Sequence, residues 1–247
     1  HAIPESVLSA VCPFDTIEGA CDATIMAIQM GLGLARIELL DAPQVEACNA
    51  YSKLDLDPVP TLFLEFHGTA AGTREQVETF SEIASECGGG SFRWAEKEEE
   101  RKALWKARHD AYWAALALRP GTKGIATDVC VPISRLAECV IETQKDIEEL
   151  GLVAPIVGHA GDGNFHVLPL IDMDNKDEVA VATEFLERLV NRALSMDGTC
   201  TGEHGVGSGK MKYMKAEHGA GVDVMRSIKM SLDPHNILNP GKVVPVA

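Results

Sequence analysis

The sequence predicts an α+β fold, with duplicated ferredoxin-like halves forming a mostly antiparallel sheet covered by helices. Three observations predict it. Strand-like runs and helical-period runs follow one another in the order βαββαβ, that order occurs twice, and a single long helical pattern separates the two passes. No residue-level repeat accompanies the two passes, so the duplication is one of architecture.

In the first pass, residues 7–14 read as a strand. From Asp15, apolar residues recur at helical spacing (Ile17, Ala20, Thr24, Ala27, Ile28) until Gly31. Residues 34–40 form the second strand, and a short helix over 43–51 is an insertion. Residues 61–66 alternate as a strand, 73–86 are helical, and Gly88, Gly89 and Gly90 precede a short strand at 92–94. The long helix over 96–118 ends at Pro120 and Gly121. The second pass has strand 125–131, helix 134–150, strands 154–157 and 165–171, helix 176–196 and a weak strand near Thr199. Within one unit of 1–247 the expected parts are a first half at 1–95, a linking helix at 96–122, a second half at 123–204 and a helical tail at 205–247. Helices are expected on one face of the sheet.

At 247 residues and 46% hydrophobic content the chain is long enough for a sizeable core. A formal charge of -15 repels a phosphate backbone, which argues against nucleic acid as a partner. Seven cysteines, odd in number and with no CxxC pair, fit buried free thiols in a reducing compartment. No window approaches a membrane span and no secretory leader is evident, so a bacterial cytoplasmic or a mitochondrial location is expected. The chain begins at His1, which predicts that it is processed, excised or truncated from something longer.

The run GHAGDGNFH at 158–166 carries too many glycines for a helix, and Asp162-Gly163 is a two-residue hairpin signal. That turn sets His159 directly opposite His166 on one face, close enough to share a divalent cation. The bland alternative is a pair of ordinary histidines on a glycine-rich hairpin. A third ligand is offered by Glu203 in TCTGEHGVG, where glycines at 202, 205 and 207 force a loop. Two histidines and a carboxylate with an open position form a catalytic metal pattern, and His204 beside them is a natural proton acceptor. The same loop fails as a phosphate-binding or dinucleotide motif, and residues 172–183 fail as a calcium loop.

In the helix after residue 96, Leu104, Trp105, Ala111, Tyr112 and Ala115 form an apolar stripe, and Arg108 falls inside it. A buried guanidinium needs an anion. An internal carboxylate and a substrate carboxylate held bidentately both meet the need. Trp105 and Tyr112 read as packing residues.

The segments LWKARHDAYWAALAL, GHAGDGNFH, GTCTGEHGVGSGK and DPHNILNPGK together resemble the C-terminal domain of the FAD-linked oxidase family, over nearly the whole chain. TDVCVP at 127–132 is most similar to that family's D-lactate dehydrogenase (cytochrome) type. The resemblance implies FAD-dependent oxidation of a D-2-hydroxy acid, D-lactate foremost, with the glycolate and D-2-hydroxyglutarate types as alternatives. Ala126 stands where the hydroxyglutarate type has a basic residue. It further implies that His159, His166 and Glu203 hold zinc or manganese, that His204 is the base, that Arg108 grips the substrate carboxylate, and that Asn239 lies near the flavin. The implied partners are an N-terminal FAD domain, without which the chain is expected not to turn over, and an electron acceptor such as cytochrome c, an electron-transfer flavoprotein or a quinone. A metal-dependent hydrolase and a non-catalytic carboxylate-binding module remain as rivals.

Overall fold

The computed structural model describes residues 3–95 and 97–244, so Glu96 and His1 lie outside the described residues. The first pass comprises β1 (Ser6–Pro13), α1 (Ile17–Gln29), β2 (Leu34–Leu40), α2 (Ala42–Ser52), β3 (Thr61–Gly68), α3 (Ala70–Glu86) and β4 (Arg93–Ala95). Side-chain caps fix the helix starts. Thr16 accepts from the Gly19 N–H, Asp41 from Gln44 and Thr69 from Gly72, which is why α3 begins three residues before the apolar pattern does. Then come α4 (Glu98–His109), α5 (Ala111–Ala117), β5 (Lys123–Gly124), β6 (Val129–Cys130), α6 (Leu136–Glu149), β7 (Ile156–His159), β8 (Asn164–Val167), β9 (Leu170–Ile171), α7 (Lys176–Ser195), α8 (Met214–His218) and α9 (Gly221–Leu232).

Among the described residues seven strands form one sheet in the order β4-β1-β3-β2-β7-β8-β6, and each neighbouring pair is antiparallel. The left part has the ferredoxin-like order. The right part mirrors it, completed by a bridge between Cys130 and Thr199 where the weak last strand was expected. The two parts meet at β2 and β7, where Leu39 pairs with Gly158 and Leu40 with Val157.

One apolar core runs under both parts, from Phe14, Leu64, Phe66 and Phe80 to Phe165, Phe185 and Leu189. The expectation of helices on one face alone is corrected. Val11, Leu40 and Phe63 point the other way and are covered by Val45 and Cys48 of α2, Leu104 and Trp105 of α4, and Ala111 and Ala114 of α5. Both faces of β3 are therefore buried from Thr61 to Phe66, and its alternation did not mark a solvated side.

The long helix is also corrected. It divides at Asp110, whose backbone (φ -81°, ψ 2°) lies off the helical minimum while its N–H still bonds to Lys106. The phase of the apolar stripe slips there, so Leu104, Trp105, Ala111 and Ala115 are buried but Tyr112 is 40% exposed. The strands expected over 125–131 and 165–171 run side by side but are interrupted, because Pro169 has no N–H to give to the ladder. All seven cysteines are free thiols, five of them buried.

Candidate metal and substrate site

The site lies at the seam of the two sheet parts, on the face that α4 partly covers. The hairpin between β7 and β8 turns through a single 3-10 turn (Ala160–Asp162) ending on Gly163 at φ 72°. A Cβ on Gly163 would fall 2.2 Å from the Val131 carbonyl oxygen, so glycine is needed twice over. This four-residue connection corrects the expected two-residue turn. Val157 pairs with His166 and His159 with Asn164, instead of His159 with His166. Because the slip is two residues, both histidines keep the same face. Their ring centroids are 5.9 Å apart.

Each ring is held through Nδ1. His159 Nδ1 lies 2.9 Å from Glu38 Oε1, and His166 Nδ1 lies 2.9 Å from the Thr127 carbonyl oxygen. Both partners accept, so in the neutral rings the proton belongs on Nδ1, and the two Nε2 lone pairs then converge on Glu203 Oε1, at 3.4 and 2.9 Å. Lone pairs at those distances repel unless a proton or a cation lies between them. Burial pushes the proton affinity of His166 down, which disfavours a second proton there. The hydrogen bond to Glu38 raises that of His159 against the opposing effect of burial. Ligand atoms of a tetrahedral zinc site stand roughly 3.3 Å apart; the two Nε2 atoms stand 3.4 and 2.9 Å from Glu203 Oε1, and all three donors lie within 4.8 Å of one another, a set of residues that could hold a divalent ion.

His204 stacks on His166 with centroids 4.9 Å apart and planes within 8°. Its side chain is about half exposed, and Nε2 is 3.9 Å from Glu203 Oε1.

Arg108 donates from Nε (3.1 Å) and Nη2 (2.8 Å) to Glu38 Oε2, which is the internal-carboxylate alternative in place. The same arginine also lines a cavity of about 410 Å³ with Arg36, Trp105, His159 and Asp162. Trp105 is therefore both a packing residue and a wall of this cavity, with Arg36 stacked 4.8 Å above its ring and its Nε1 donating to Ser9 Oγ. Among the expected residues, Arg108, His159, His166, Glu203 and His204 are brought together, and Glu38 joins the first two. Asn239 is not brought to them. It lies exposed in the tail at φ 48°, a conformation asparagine tolerates.

Sequence reasoning passed over two acids. Glu38 sits among the alternating residues of β2, where one buried acid between apolar neighbours was the available signal. Asp128 is buried beneath the Glu203 loop. Burial alone raises its proton affinity, but hydrogen bonds from the His204 N–H, Asn164, Thr201 and the Glu203 N–H overcome that and hold the carboxyl well below the usual range.

The family model described as "FAD linked oxidases, C-terminal domain" matches residues 3–243. The chain belongs to that family. It is 51% identical over 245 residues to a Danio rerio protein named as a probable mitochondrial D-lactate dehydrogenase, covering 99% of this chain and 49% of that protein. It is 44% identical over 244 residues to the mitochondrial D-lactate dehydrogenase [cytochrome] of Arabidopsis thaliana, covering 98% and 43%. A third relative, glycolate oxidase subunit GlcD of Bacillus subtilis, is 32% identical over 97% of this chain and 51% of its own length. The chain thus spans about half the length of the curated relatives it matches. The fold recurs in 4-ethylphenol oxidase from Gulosibacter chungangensis (TM-score 0.73, 16% identity, 98% of this chain and 54% of that one). It recurs also in p-cresol methylhydroxylase (TM-score 0.69, 13% identity, 96% and 52%). Among the described residues no helix is long and apolar enough to cross a membrane.

Proposed function

We propose that this chain is the substrate- and metal-holding part of an FAD-linked dehydrogenase that oxidises a D-2-hydroxy acid, D-lactate foremost, to the 2-oxo acid. The observation that carries the proposal is the unbroken line of polar groups Arg108, Glu38, His159, Glu203, His166 and His204, which sets a cation for a carboxylate beside a donor set for a divalent metal and an exposed imidazole.

Arg108, lining the cavity, orients the substrate by its carboxylate, and its bond to Glu38 keeps the guanidinium aimed. His159, His166 and Glu203 would hold the metal, zinc or manganese, which supplies a Lewis acid at the substrate hydroxyl. His204 takes the hydroxyl proton on its imidazole, and its stacking on His166 limits where that nitrogen can stand. Trp105 and Ile37 exclude water from the inner wall. FAD would be held mainly by the family's other domain and would supply the hydride acceptor, with Asn239 of the tail as this chain's residue near it.

The names of the relatives support D-lactate and a mitochondrial location, and two of them support a cytochrome over an electron-transfer flavoprotein or a quinone as acceptor. Ala126 at the approach to Asp128 supports a monocarboxylate over hydroxyglutarate. The test is anaerobic flavin reduction in the protein carrying its FAD domain. D-lactate is expected to bleach the oxidised flavin faster than glycolate or D-2-hydroxyglutarate. Equal rates with all three would remove the D-lactate assignment, and no reduction by any would remove the proposal.

A further inference from the structure

The loop that carries Glu203 and His204 has glycines at 202, 205 and 207 and no strand or helix of its own, so something must hold it in place against its conformational entropy. The hydrogen bonds of the Glu203 and His204 amides run to one carboxylate. Asp128, whose side chain is fully buried, accepts from the Glu203 N–H at 3.1 and 3.2 Å and from the His204 N–H at 2.9 Å. It also accepts from Thr201 Oγ1 at 2.7 Å and Asn164 Nδ2 at 2.9 Å. Lys210, beyond the loop, bonds through Nζ to the Asp128 carbonyl at 2.9 Å and lies 3.5 Å from the carboxylate.

Two further observations bear on its role. Asp128, His166 and His204 are close enough together to suggest a second set of metal ligands. The Asp128 oxygens, however, are already engaged by these donors, and His166 Nδ1 is 3.9 Å away and turned to Thr127. Asp128 is therefore not available as a ligand. In addition, a Cβ on Gly202 would fall 1.8 Å from Asn164 Nδ2 and 2.9 Å from Asp128 Oδ1, so the loop can descend onto this pair only with glycine there.

We propose that Asp128 is a positioning residue that gathers the Glu203 and His204 amides and thereby sets the Glu203 carboxylate against His159 and His166. The proposal rests on the metal reading above, and its test separates the two. In the wild-type chain, hydrogen–deuterium exchange by NMR is expected to show the Glu203 and His204 amides protected. In Asp128→Asn those two amides lose protection while β1 and β3 keep theirs, and zinc affinity, measured by competition with a chromophoric chelator, falls about tenfold or more. Thr201→Val, which removes a donor but leaves both amide bonds, is expected to change zinc affinity much less. Unprotected Glu203 and His204 amides in the wild type would overturn the proposal even where Asp128→Asn fails to fold. So would a folded Asp128→Asn with zinc affinity within twofold of wild type. A wild type that takes up no zinc would defeat the metal reading, and amide protection then decides the role of Asp128 alone.

Discussion

His159 and Glu38 face one another across the seam between β7 and β2, with Nδ1 2.9 Å from Oε1, while the other oxygen of the same carboxylate holds Arg108. One buried acid thus orients both a candidate metal ligand and the candidate substrate grip. Its replacement should be felt at both. Glu38→Gln is expected to weaken zinc binding by about tenfold, since loss of a hydrogen-bonded partner of a ligating histidine typically has that effect. Titration with a competing chelator checks it, and unchanged affinity would mean that His159 is oriented by something else.

The same ion pair makes a prediction for stability. Arg108 and Glu38 side chains are 14% and 10% exposed, so removing Arg108 takes the permanent counter-charge from a nearly buried carboxylate and leaves it only the His159 hydrogen bond. Arg108→Met is expected to destabilise the chain by roughly 3 kcal/mol, and adding Glu38→Leu should recover part of that loss. Urea unfolding of the two single variants and the double variant checks it. Strict additivity would contradict the pairing.

Asp41 caps α2 and is buried, and burial pushes its carboxyl up to about 7. A group whose proton affinity is higher folded than unfolded contributes stability that is fully present below its unfolded value, about 3.9, and that is lost as pH rises through its folded value. Between about pH 4 and pH 7 this group's contribution therefore declines. Asp41→Asn keeps a capping side chain and should flatten the pH dependence of stability over that window, raising stability at pH 7. Thermal unfolding at three pH values checks it, and parallel curves for variant and wild type would contradict it.

Gly163→Ala should cost at least about 1 kcal/mol, because the position combines φ 72° with a Cβ clash against Val131 O. The nearby Gly161, whose Cβ would meet only ordinary contacts with Ile37, serves as the control and should tolerate alanine better. Denaturant midpoints for the two variants check the difference.

Much of this arrangement was legible in the sequence, for reasons that differ by element. The two βαββαβ passes follow from hydrophobic period and glycine punctuation, and the bounds of β2 are legible because Gly33 and Asp41 flank the run LARIELL. The shared face of His159 and His166 survived a wrong turn type because only the parity of the register decides it. The break at Asp110 was hidden because Asp110 still continues the hydrogen-bond ladder, so no proline or glycine marks it. The second covered face was hidden because α2 has little apolar patterning of its own. Glu38 and Asp128 were passed over because their partners lie far along the chain, 70 and 121 residues for Glu38 and about 75 for the amides held by Asp128, and no local pattern encodes such pairings.

His159, His166 and Glu203 are expected to hold one divalent metal between them. Elemental analysis of the purified chain and of His159→Ala, after loosely bound ions are removed, tests it most directly. One equivalent of zinc or manganese in the wild type, lost in the variant, is the predicted result. No metal in the wild type after exposure to both ions, or equal metal in both proteins, would contradict it.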